Sequence, residues 1–556
     1  MILFKSSNLI KNNLLKTVLV SNASITTQQQ TQQTRPNVVL IDAVRTPFVV
    51  SNTVFRELLA VDLQRHALRA LVDRTNVPFE DIGHIICGQV VQECRTSNIA
   101  REAAITAGFP DSIPCNTVTL ACISSAISTQ NIASMITNGY LKAGIAGGVE
   151  LLSDFPVRYN RKARLSMIDF QKAKKLDAKL KYGFKMLANW FTPELPAVSE
   201  FTTGEVMGNS GDRLAAAFCV SRKYFLNKFL GVYIPKETTG NFFVLRISPQ
   251  IRKIFYPQLF VRNIFIRKFC LQNFCPQIFY GQYFCPQVFS AKFFSAKFLS
   301  AIFVCKFFVH NIFVRKFLSA IQLKIFLILR EQDDFAIRSH TFADKATKEN
   351  KLTDVVPMFV PYGPKKGQTV LTDNGIRVST KEQMAKLKAA FIKPHGTASA
   401  ALISSESYAL QKGYKPKAFI RETMFVAQDP KDQLLLSPAY VIPKLLDKAG
   451  LKLQDVDVFE IHEAFAGQLL ANLKALDSDW FCQNYMKRNA KFGTLPMEKL
   501  NLWGGSLSLG HPFGATGVRL LAHAANRLKD EGGRYAVIAA CAAGGHGVGM
   551  LVEAYK

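Results

Sequence analysis

Acidic residues are scarce in this chain of 556 residues, and the shortage is concentrated in two stretches. The chain holds 41 Asp and Glu against 69 Lys and Arg, a formal net charge of +28. Residues 1–41 have four basic residues and no acid, and residues 223–329 have 15 basic residues and one acid. Because these stretches account for +18 of the charge, the rest of the chain carries only +10. The charge therefore does not by itself indicate a nucleic-acid-binding protein.

A disulfide framework and a long apolar run are also missing. The 11 cysteines do not form the paired spacings of a small secreted domain, which favours a reducing compartment. Within 223–329 the longest charge-free run is interrupted by Pro276, Gly281 and Pro286, so we do not expect a membrane span there. Hydrophobic residues make up 48% of the chain, which excludes global disorder and allows several domains or one large duplicated domain.

The N-terminal segment, residues 1–35, is predicted to be a mitochondrial transit peptide. It is rich in Lys, Asn, Ser, Thr and Gln, and its apolar residues can form an amphipathic stripe. A secretory signal would need a continuous apolar run, and Lys5, Lys11 and Lys16 interrupt it. A merely disordered leader is the alternative.

Residues 223–329 are predicted to be an atypical low-complexity insertion. They contain 21 of the 43 phenylalanines and repeat short words such as Phe-Cys-Pro-Gln. Removing 223–330 would place Ser221 at the N-cap of a helix and Gln332 at its third position, which is a capping box. We interpret the segment as translated non-coding sequence or a late insertion. A basic, aromatic arm that binds membranes or nucleic acid is the alternative.

Elsewhere, apolar strands alternate with amphipathic helices, which is typical of an α/β protein. Val38 to Val44 predicts a buried strand, and Leu59 to Arg74 predicts a helix. The order of helix, polar turn and apolar strand from Ala67 to Gly88 recurs from Ala439 to His462. We therefore expect two similar α/β halves.

Cys122 is the first candidate for a reactive group. A short strand precedes it, and a helix of small residues follows and ends near Asn138-Gly139. A cysteine at a helix N-terminus should have a depressed pKa and suits a nucleophile. Taken alone, a buried structural thiol would be the better interpretation.

Three further candidates lie in turns of small residues. His511 sits among the glycines of the stretch 504–517, where the backbone can approach a ligand closely. Cys541 ends an apolar strand before small residues, as Cys122 does, and His462 is followed by Glu-Ala-Phe. A zinc site is not expected, because no pair of these residues has close ligand spacing.

Together these segments resemble the thiolase family and, within it, the β-subunits of mitochondrial trifunctional enzymes. The resemblance covers residues 38–222 and 331–556. Ordinary thiolases carry Asn-Glu-Ala-Phe where this chain has His462, which points to the trifunctional subgroup. The segments that carry the resemblance are Asp42-Ala-Val-Arg-Thr-Pro47, Gly147-Gly-Val-Glu150, the Cys122 segment, His462-Glu-Ala-Phe465, Gly510-His-Pro512 and Cys541-Ala-Ala-Gly544.

The resemblance implies an acetyl-CoA C-acyltransferase, a 3-ketoacyl-CoA thiolase of mitochondrial fatty-acid β-oxidation. Cys122 would attack the keto carbonyl and hold the shortened acyl chain as a thioester, and His511 would take its proton. Cys541 would exchange a proton with the acetyl-CoA carbanion and later activate the incoming CoA. His462 and His511 would bind one oxyanion, directly or through a water, and the backbone N–H groups of Cys122 and Ala543 would bind the other.

The resemblance also implies a fold and a domain order. The thiolase fold has two similar βα halves in a five-layer α/β/α/β/α core with an inserted loop domain. After the transit peptide at 1–35, the expected order is a first half at 36–152 completed by about 396–415, a loop domain at 153–395 that carries the insertion, and a second half at 416–556.

The same resemblance implies partners and a location. CoA and acyl-CoA would be substrates, with no metal or other cofactor and no nucleic acid. We expect a homodimer and a hetero-oligomer with a hydratase/dehydrogenase α-subunit in the mitochondrial matrix. Peripheral contact with the inner membrane would involve the basic segment from Arg158 to Lys185, for which a solvated face or a CoA-phosphate contact is the alternative.

The chain departs from the family between Thr397 and Ala398, where about a dozen residues are missing. The gap, like the insertion, suggests misread splice boundaries; if it is genuine, the expected consequences are a truncated central strand and loss of contacts to the pantetheine arm of CoA. A catalytically impaired structural β-subunit is therefore one alternative function, and an acetoacetyl-CoA-type thiolase is another. A decarboxylating condensing enzyme is a rival within the same fold, but it would not need the second reactive cysteine, Cys541, which argues against it. A nucleic-acid-binding protein is a rival of another class, and it would bind through residues 223–329.

Overall fold

The insertion at 223–329 and all but the last residue of the predicted transit peptide lie outside the residues that the computed structural model describes. The described residues are 35–194, 199–220, 331–362, 366–386 and 395–556.

The first half begins with a strand that is buried along its whole length, as the apolar run from Val38 predicts. The helix that follows buries one face, with Leu63, Ala67 and Leu71 in the core, and ends at Asn76 in the left-handed conformation. The elements of this half are β1 Val38–Arg45, β2 Val49–Val50, α1 Ala60–Thr75, β3 Ile85–Gly88, α2 Ile99–Thr106, β4 Cys115–Val118, α3 Ser124–Thr137 and β5 Ala143–Leu151.

The region between β5 and the next strand of the main sheet is built from helices and two small hairpin sheets. Two of its helices, α4 and α5, pack against each other as a pair joined by residues 173–175, and α5 has no buried residue. No helix in the described part of the chain combines the length and the apolar character needed to cross a bilayer. The elements are β6 Arg158–Tyr159, α4 Arg161–Lys172, α5 Leu176–Trp190, β7 Pro193–Glu194, α6 Met207–Ala217, α7 Glu331–Lys348, β8 Met358–Pro361, β9 Gly367–Val370 and α8 Lys381–Lys386.

The second half repeats the local order of the first, as the sequence predicts. A helix that ends at a left-handed residue, a 3-10 turn and a buried strand follow one another in both halves, with Asn76 and Gly450 as the left-handed residues. The remaining elements are β10 His395–Ser405, α9 Glu406–Gln411, β11 Ala418–Ala427, α10 Ser437–Ala449, β12 Val458–Ile461, α11 Ala466–Leu476, α12 Asp479–Asn484, α13 Thr516–Glu531, β13 Tyr535–Ala542 and β14 His546–Ala554.

The strands of both halves join in the order β12-β13-β14-β11-β1-β10-β5-β3-β4. The two halves meet where β1 and β11 pair at only two positions. Helices α3 and α13 pack between the two parts of the sheet, whereas α1 and α2 cover one outer face and α10 and α11 the other. Alternate residues of β1 confirm the layers, since Val39 faces the outer cluster and Leu40 faces the inner one. The predicted five-layer α/β/α/β/α core is confirmed.

The predicted truncation of a central strand at Thr397-Ala398 is wrong. β10 has 11 residues, and all of them are buried. Across the junction Thr397 pairs with Glu150 and Ala398 pairs with Val149, without a shift of register. The strand continues across the junction because His395 and Gly396 pair with β2, and Gly396 and Thr397 pair with β5.

A buried arginine fastens the end of β1 to the loop region. The guanidinium of Arg45 donates to Asp354 at 2.7 Å and to both carboxylate oxygens of Asp373 at 2.7 and 2.9 Å. All three side chains are at most 1% exposed. The paired charges therefore satisfy each other in a place where water cannot.

Replacing Arg45 by Met should lower the free energy of unfolding by roughly 3–5 kcal/mol, because two carboxylates would be left buried without their cation. Urea denaturation followed by circular dichroism measures the change. Arg69→Met is the matched control, since Arg69 pairs with Asp73 at 2.9 Å on the exposed face of α1. This substitution should lower the free energy of unfolding by at most about 1 kcal/mol. Equal losses in the two variants would contradict the structural role given to Arg45.

Candidate active site

Cys122 lies in a tight turn between β4 and the first turn of α3. Ser124 holds this turn, because its hydroxyl accepts from the Leu120 N–H at 2.8 Å and donates to the Ala121 carbonyl at 2.7 Å. Ala121 has a φ of 44°, in the left-handed region that residues other than glycine seldom adopt. The turn therefore places the Cys122 sulfur ahead of the helix rather than within it.

The predicted depression of the Cys122 pKa is wrong. Burial of the sulfur raises the pKa of the thiol to about 11, and the carboxylate of Glu150 adds to the rise. The backbone N–H groups of Ala543 and of Cys122 itself act in the opposite direction. Desolvation outweighs the helix N-terminus because α3 starts two residues later, at Ser124. The thiol is therefore protonated at neutral pH and needs a base to become a nucleophile.

Cys541 lies near the end of β13 and faces Cys122. Its pKa is raised by burial first and then by the proximity of Cys122. The chain then turns sharply through Ala543–Gly545, where Gly544 has a φ of 79°. This turn aims the Ala543 N–H at the Cys122 sulfur. A carboxylate oxygen of Glu200, from the loop region, accepts from the Gly544 N–H at 2.8 Å and fixes the turn.

His462 and His511 lie side by side, with ring centroids 4.1 Å apart. The Nδ1 atom of His462 is 2.9 Å from the Ser506 hydroxyl, and that of His511 is 2.7 Å from the Thr516 hydroxyl. Both Nε2 atoms are buried, and neither has a hydrogen-bond partner among the described residues. Two ring nitrogens with no partner thus lie in one polar pocket, where a ligand oxygen can satisfy them.

Both imidazoles are neutral at physiological pH. The pKa of His511 is lowered to about 3, mainly by burial and also by the proximity of Arg519 and His395. Burial also lowers the pKa of His462 well below its ordinary 6.5, with contributions from His511 and Arg519. A neutral imidazole can accept a proton at one nitrogen and donate from the other, which an imidazolium cannot.

The carboxylate of Glu150 joins three parts of the site. It accepts from the N–H groups of Val90 at 3.2 Å, Val91 at 2.8 Å and Gly514 at 3.1 Å. Gly514 belongs to the loop of His511, and Glu150 belongs to β5. The loop passes so close to β5 that a Cβ on Gly148 would lie 2.0 Å from the Gly514 carbonyl oxygen. Glycine is therefore required at this contact.

A second hydrogen bond connects the loop of His511 to α3, the helix that follows Cys122. The N–H of Val518, in the first turn of α13, donates to the hydroxyl of Ser125 in α3 at 3.0 Å. A Cβ on Gly517 would lie 2.4 Å from the backbone nitrogen of Ala126. The two helices of the middle layer thus bring the loop of His511 to the turn of Cys122.

Glu463 fixes the backbone beside His462. Its buried carboxylate accepts from the Asn501 amide and the Ser339 hydroxyl, both at 2.7 Å, and from the Leu507 N–H at 3.2 Å. The structure thus places Cys122 beside Cys541 and His462 beside His511, and Glu150 connects the two pairs, because it acts on the Cys122 thiol and accepts from Gly514 in the loop of His511. No set of three His, Cys, Asp or Glu side chains in the described ranges is arranged to hold a metal ion.

The comparisons with known proteins identify the family. The model "Thiolase, N-terminal domain" matches residues 38–227 and 323–407, and "Thiolase, C-terminal domain" matches 414–554. The chain belongs to the thiolase family. Residues 228–322, which lie within the predicted insertion, are not matched by either thiolase model.

Proteins similar to this thiolase-family chain include a "Probable 3-ketoacyl-CoA thiolase" of Caenorhabditis elegans, 53% identical over 94% of each chain. The "Trifunctional enzyme subunit beta, mitochondrial" of Bos taurus is 46% identical, over 93% of this chain and 88% of its own length. The crystal structure of human mitochondrial 3-ketoacyl-CoA thiolase matches with a TM-score of 0.63 and 21% identity, over 94% of this chain and 99% of that one. The last comparison shows the fold alone.

Sequence reasoning missed several residues of this thiolase-family site. Glu200 comes from the loop region, and no local pattern connects it with the turn after Cys541. His395 lies against the His511 loop, since a Cβ on Gly510 would be 2.6 Å from its ring. It reaches that place because it extends β10 across the junction at Thr397. Of the site residues that sequence reasoning did not assign, Glu150 alone could have been found from the sequence, because it lies in the family motif Gly147-Gly-Val-Glu150.

Glu150→Gln should change how stability depends on pH. Burial raises the pKa of Glu150 from its ordinary 4.5 to about 7, so between these values the folded protein binds more protons than the unfolded chain. The contribution of Glu150 to the free energy of unfolding is therefore fully present below pH 4.5 and declines by ~3 kcal/mol as the pH rises through 7. Glutamine cannot titrate, and the variant should lack this decline.

Urea denaturation of both proteins at several pH values from about 5 to 8 measures the difference. Glu57→Gln is the control, because the Glu57 side chain is 74% exposed. Its profile should run parallel to that of the wild type. A difference between wild type and Glu150→Gln that does not vary with pH would contradict the raised pKa.

Proposed function

We propose that this chain is a 3-ketoacyl-CoA thiolase that uses CoA to cleave medium- or long-chain 3-ketoacyl-CoA into acetyl-CoA and a shortened acyl-CoA. The observation that carries the proposal is a pair of adjacent neutral imidazoles whose Nε2 atoms have no partner among the described residues, connected through Glu150 to the turn that holds Cys122 beside Cys541. The names of the curated relatives support the same reaction.

His511 acts as the base in the first step. Because burial raises the pKa of Cys122 to about 11, attack on the 3-keto carbonyl needs removal of the thiol proton. Neutral His511 accepts this proton at Nε2. The thiolate forms a bond to the keto carbon, and the backbone N–H groups of Cys122 and Ala543 stabilise the oxyanion that results.

Cys541 acts as the acid in the second step. The bond between C2 and C3 breaks, and its electrons go to C2 as the enolate of acetyl-CoA. The enolate oxygen binds at the Nε2 atoms of His462 and His511. Burial raises the pKa of Cys541, so it holds its proton at neutral pH and can give it to C2. The resulting thiolate then takes the proton from incoming CoA, whose sulfur attacks the Cys122 thioester. The bond to Cys122 breaks, the shortened acyl-CoA leaves, and the Cys122 thiolate takes its proton back from His511.

We infer a mitochondrial location and an α-subunit partner from the relatives named as the β-subunit of a mitochondrial trifunctional enzyme. A homodimer is consistent with the sheet, since β4 is its terminal strand and its residues Cys115–Val118 are only partly buried. An unpaired edge next to Cys122 would be covered by a second copy of the chain. The reaction needs no resident cofactor.

The helix pair α4 and α5 is proposed to contact the inner membrane. Leu176, Phe184 and Leu187 are 73%, 74% and 63% exposed, although large apolar side chains are normally buried. From Arg158 to Lys185 the chain has ten basic and two acidic residues. Exposed apolar residues among cations are typical of segments that lie in a bilayer surface containing anionic lipid.

Cys122→Ala should abolish CoA-dependent cleavage of 3-ketohexadecanoyl-CoA, because no thioester can form. Intact-protein mass spectrometry of the wild type, mixed with substrate without CoA, should show the mass of the bound acyl group, and the variant should not. Cys94→Ala is the control, since Cys94 is an exposed cysteine outside the site. A wild-type chain that binds an α-subunit but shows neither turnover nor acylation would replace the proposal by a structural β-subunit.

The double variant Phe184→Asp with Leu187→Asp should bind vesicles of phosphatidylcholine and cardiolipin at least about tenfold more weakly than the wild type. The loss is expected because each buried apolar side chain of this size contributes ~1.5–3 kcal/mol. Vesicle flotation measures binding, and vesicles without cardiolipin should bind less protein. Leu410→Asp is the control, because Leu410 is 55% exposed on α9. Equal flotation of all three proteins would favour a solvated face or a CoA-phosphate contact.

A further inference from the structure

We propose that Ser506 and Arg519 are positioning residues that fix the tautomer of His462, so that its Nε2 carries the hydrogen and donates to the substrate oxygen. The inference rests on the proposed thiolase function and deepens it, because it assigns opposite roles to the two Nε2 atoms of the site. Three buried groups form a hydrogen-bonded chain that runs from Arg519 through Ser506 to His462.

Hydrogen-bond direction in this chain starts from Arg519. An arginine nitrogen can only donate, so Arg519 Nη2, 2.8 Å from the Ser506 oxygen, gives a hydrogen to it. The single hydrogen of the Ser506 hydroxyl must then go elsewhere. Among the described residues, the only further partner of this hydroxyl is Nδ1 of His462, at 2.9 Å. Ser506 therefore donates to Nδ1.

This direction decides the tautomer of His462. A neutral imidazole has one bare nitrogen and one N–H. Because Nδ1 accepts from Ser506, the hydrogen of the ring is on Nε2. That atom is buried, has no partner within the described chain, and lies in the pocket shared with His511. His462 is thus a hydrogen-bond donor toward the pocket.

His511 has the opposite arrangement. The Thr516 hydroxyl donates to the Pro512 carbonyl at 2.8 Å, so its oxygen is left to accept from Nδ1 of His511 at 2.7 Å. The ring hydrogen of His511 is therefore on Nδ1, and its Nε2 is bare. One imidazole presents a hydrogen and the other a lone pair, with ring centroids 4.1 Å apart.

Arg519 has a second effect on the pair. Its guanidinium is 1% exposed and lies 3.6 Å from the Glu460 carboxylate, which holds it in place. A buried cation near both rings opposes protonation of either one in the resting site. The neutral forms, for which tautomers matter, are therefore the ones present.

The first test compares three serine variants in the steady-state assay. Ser506→Ala should lower kcat about tenfold to a hundredfold with little change in KM, the usual cost of losing a partner that orients a catalytic side chain. Ser506→Thr keeps a hydroxyl and should recover most of the activity. Ser508→Ala is the matched control, since Ser508 is a buried serine of the same loop whose hydroxyl donates to the Gly505 carbonyl at 3.0 Å.

The second test asks whether Ser506 acts through His462. In a His462→Asn background, Ser506→Ala should lower kcat by less than about threefold, because the imidazole ring that Ser506 orients is absent. The same tenfold to hundredfold loss in that background would overturn the proposal. A loss in Ser508→Ala as large as that in Ser506→Ala would also overturn it, since it would point to general damage of the loop.

The third test reads the tautomer without any turnover. Solid-state ¹⁵N spectra of protein labelled at its nine histidines distinguish a bare ring nitrogen from one that carries hydrogen. The signals that vanish in His462→Asn should show a bare Nδ1 and a protonated Nε2 in the wild type. A hydrogen on Nδ1 would overturn the proposal even if the enzyme is active. Absence of thiolase turnover with the expected spectrum would instead refute the proposed function and leave the assigned tautomer standing.

Discussion

The site depends on the buried carboxylate of Glu150, which connects strand β5 to the loop of His511. Glu150 is 0% exposed, and its oxygens accept from the 90–91 backbone and from Gly514. Burial of this carboxyl group has a desolvation cost, which is visible in the raised pKa of Glu150, and the three hydrogen bonds offset part of that cost. They also hold the loop of His511 against the middle of the sheet, so that the imidazole and the Cys122 sulfur, distant in sequence, share one pocket. The hydrogen bond from Val518 to Ser125 holds the far end of the same loop, so that Glu150 and the middle layer together fix the position of His511.

The fold was predictable because its signals are local and repeat. The apolar run at Val38 is a buried strand, the helix predicted from Leu59 to Arg74 is displaced by one residue, and the two halves show the same order of elements. The complete strand β10 was not predictable from family comparison alone. Which residues extend a strand depends on the neighbours available on both sides, here β1 and β5, and not on the length of the missing segment.

The candidate site was predictable in its membership and less so in its electrostatics. Motifs identified Cys122, His462, His511 and Cys541, and the structure places the two cysteines beside each other and the two histidines beside each other. The expected low pKa of Cys122 failed because sequence shows the helix start but not how deeply the sulfur is buried. Glu200 could not be found at all, because it reaches Gly544 from a loop 344 residues away in sequence.

The high pKa values of the two cysteines and the low pKa values of the two imidazoles have one physical cause, burial, and together they decide how protons move. In water a thiol loses its proton near pH 9 and an imidazole near 6.5. In this pocket burial disfavours the charged form of every one of these groups. The two thiols therefore hold their protons at neutral pH, and each of the two neutral imidazoles is able to accept one. The reactivity of the cysteines thus depends on a neighbouring base and not on a resting thiolate.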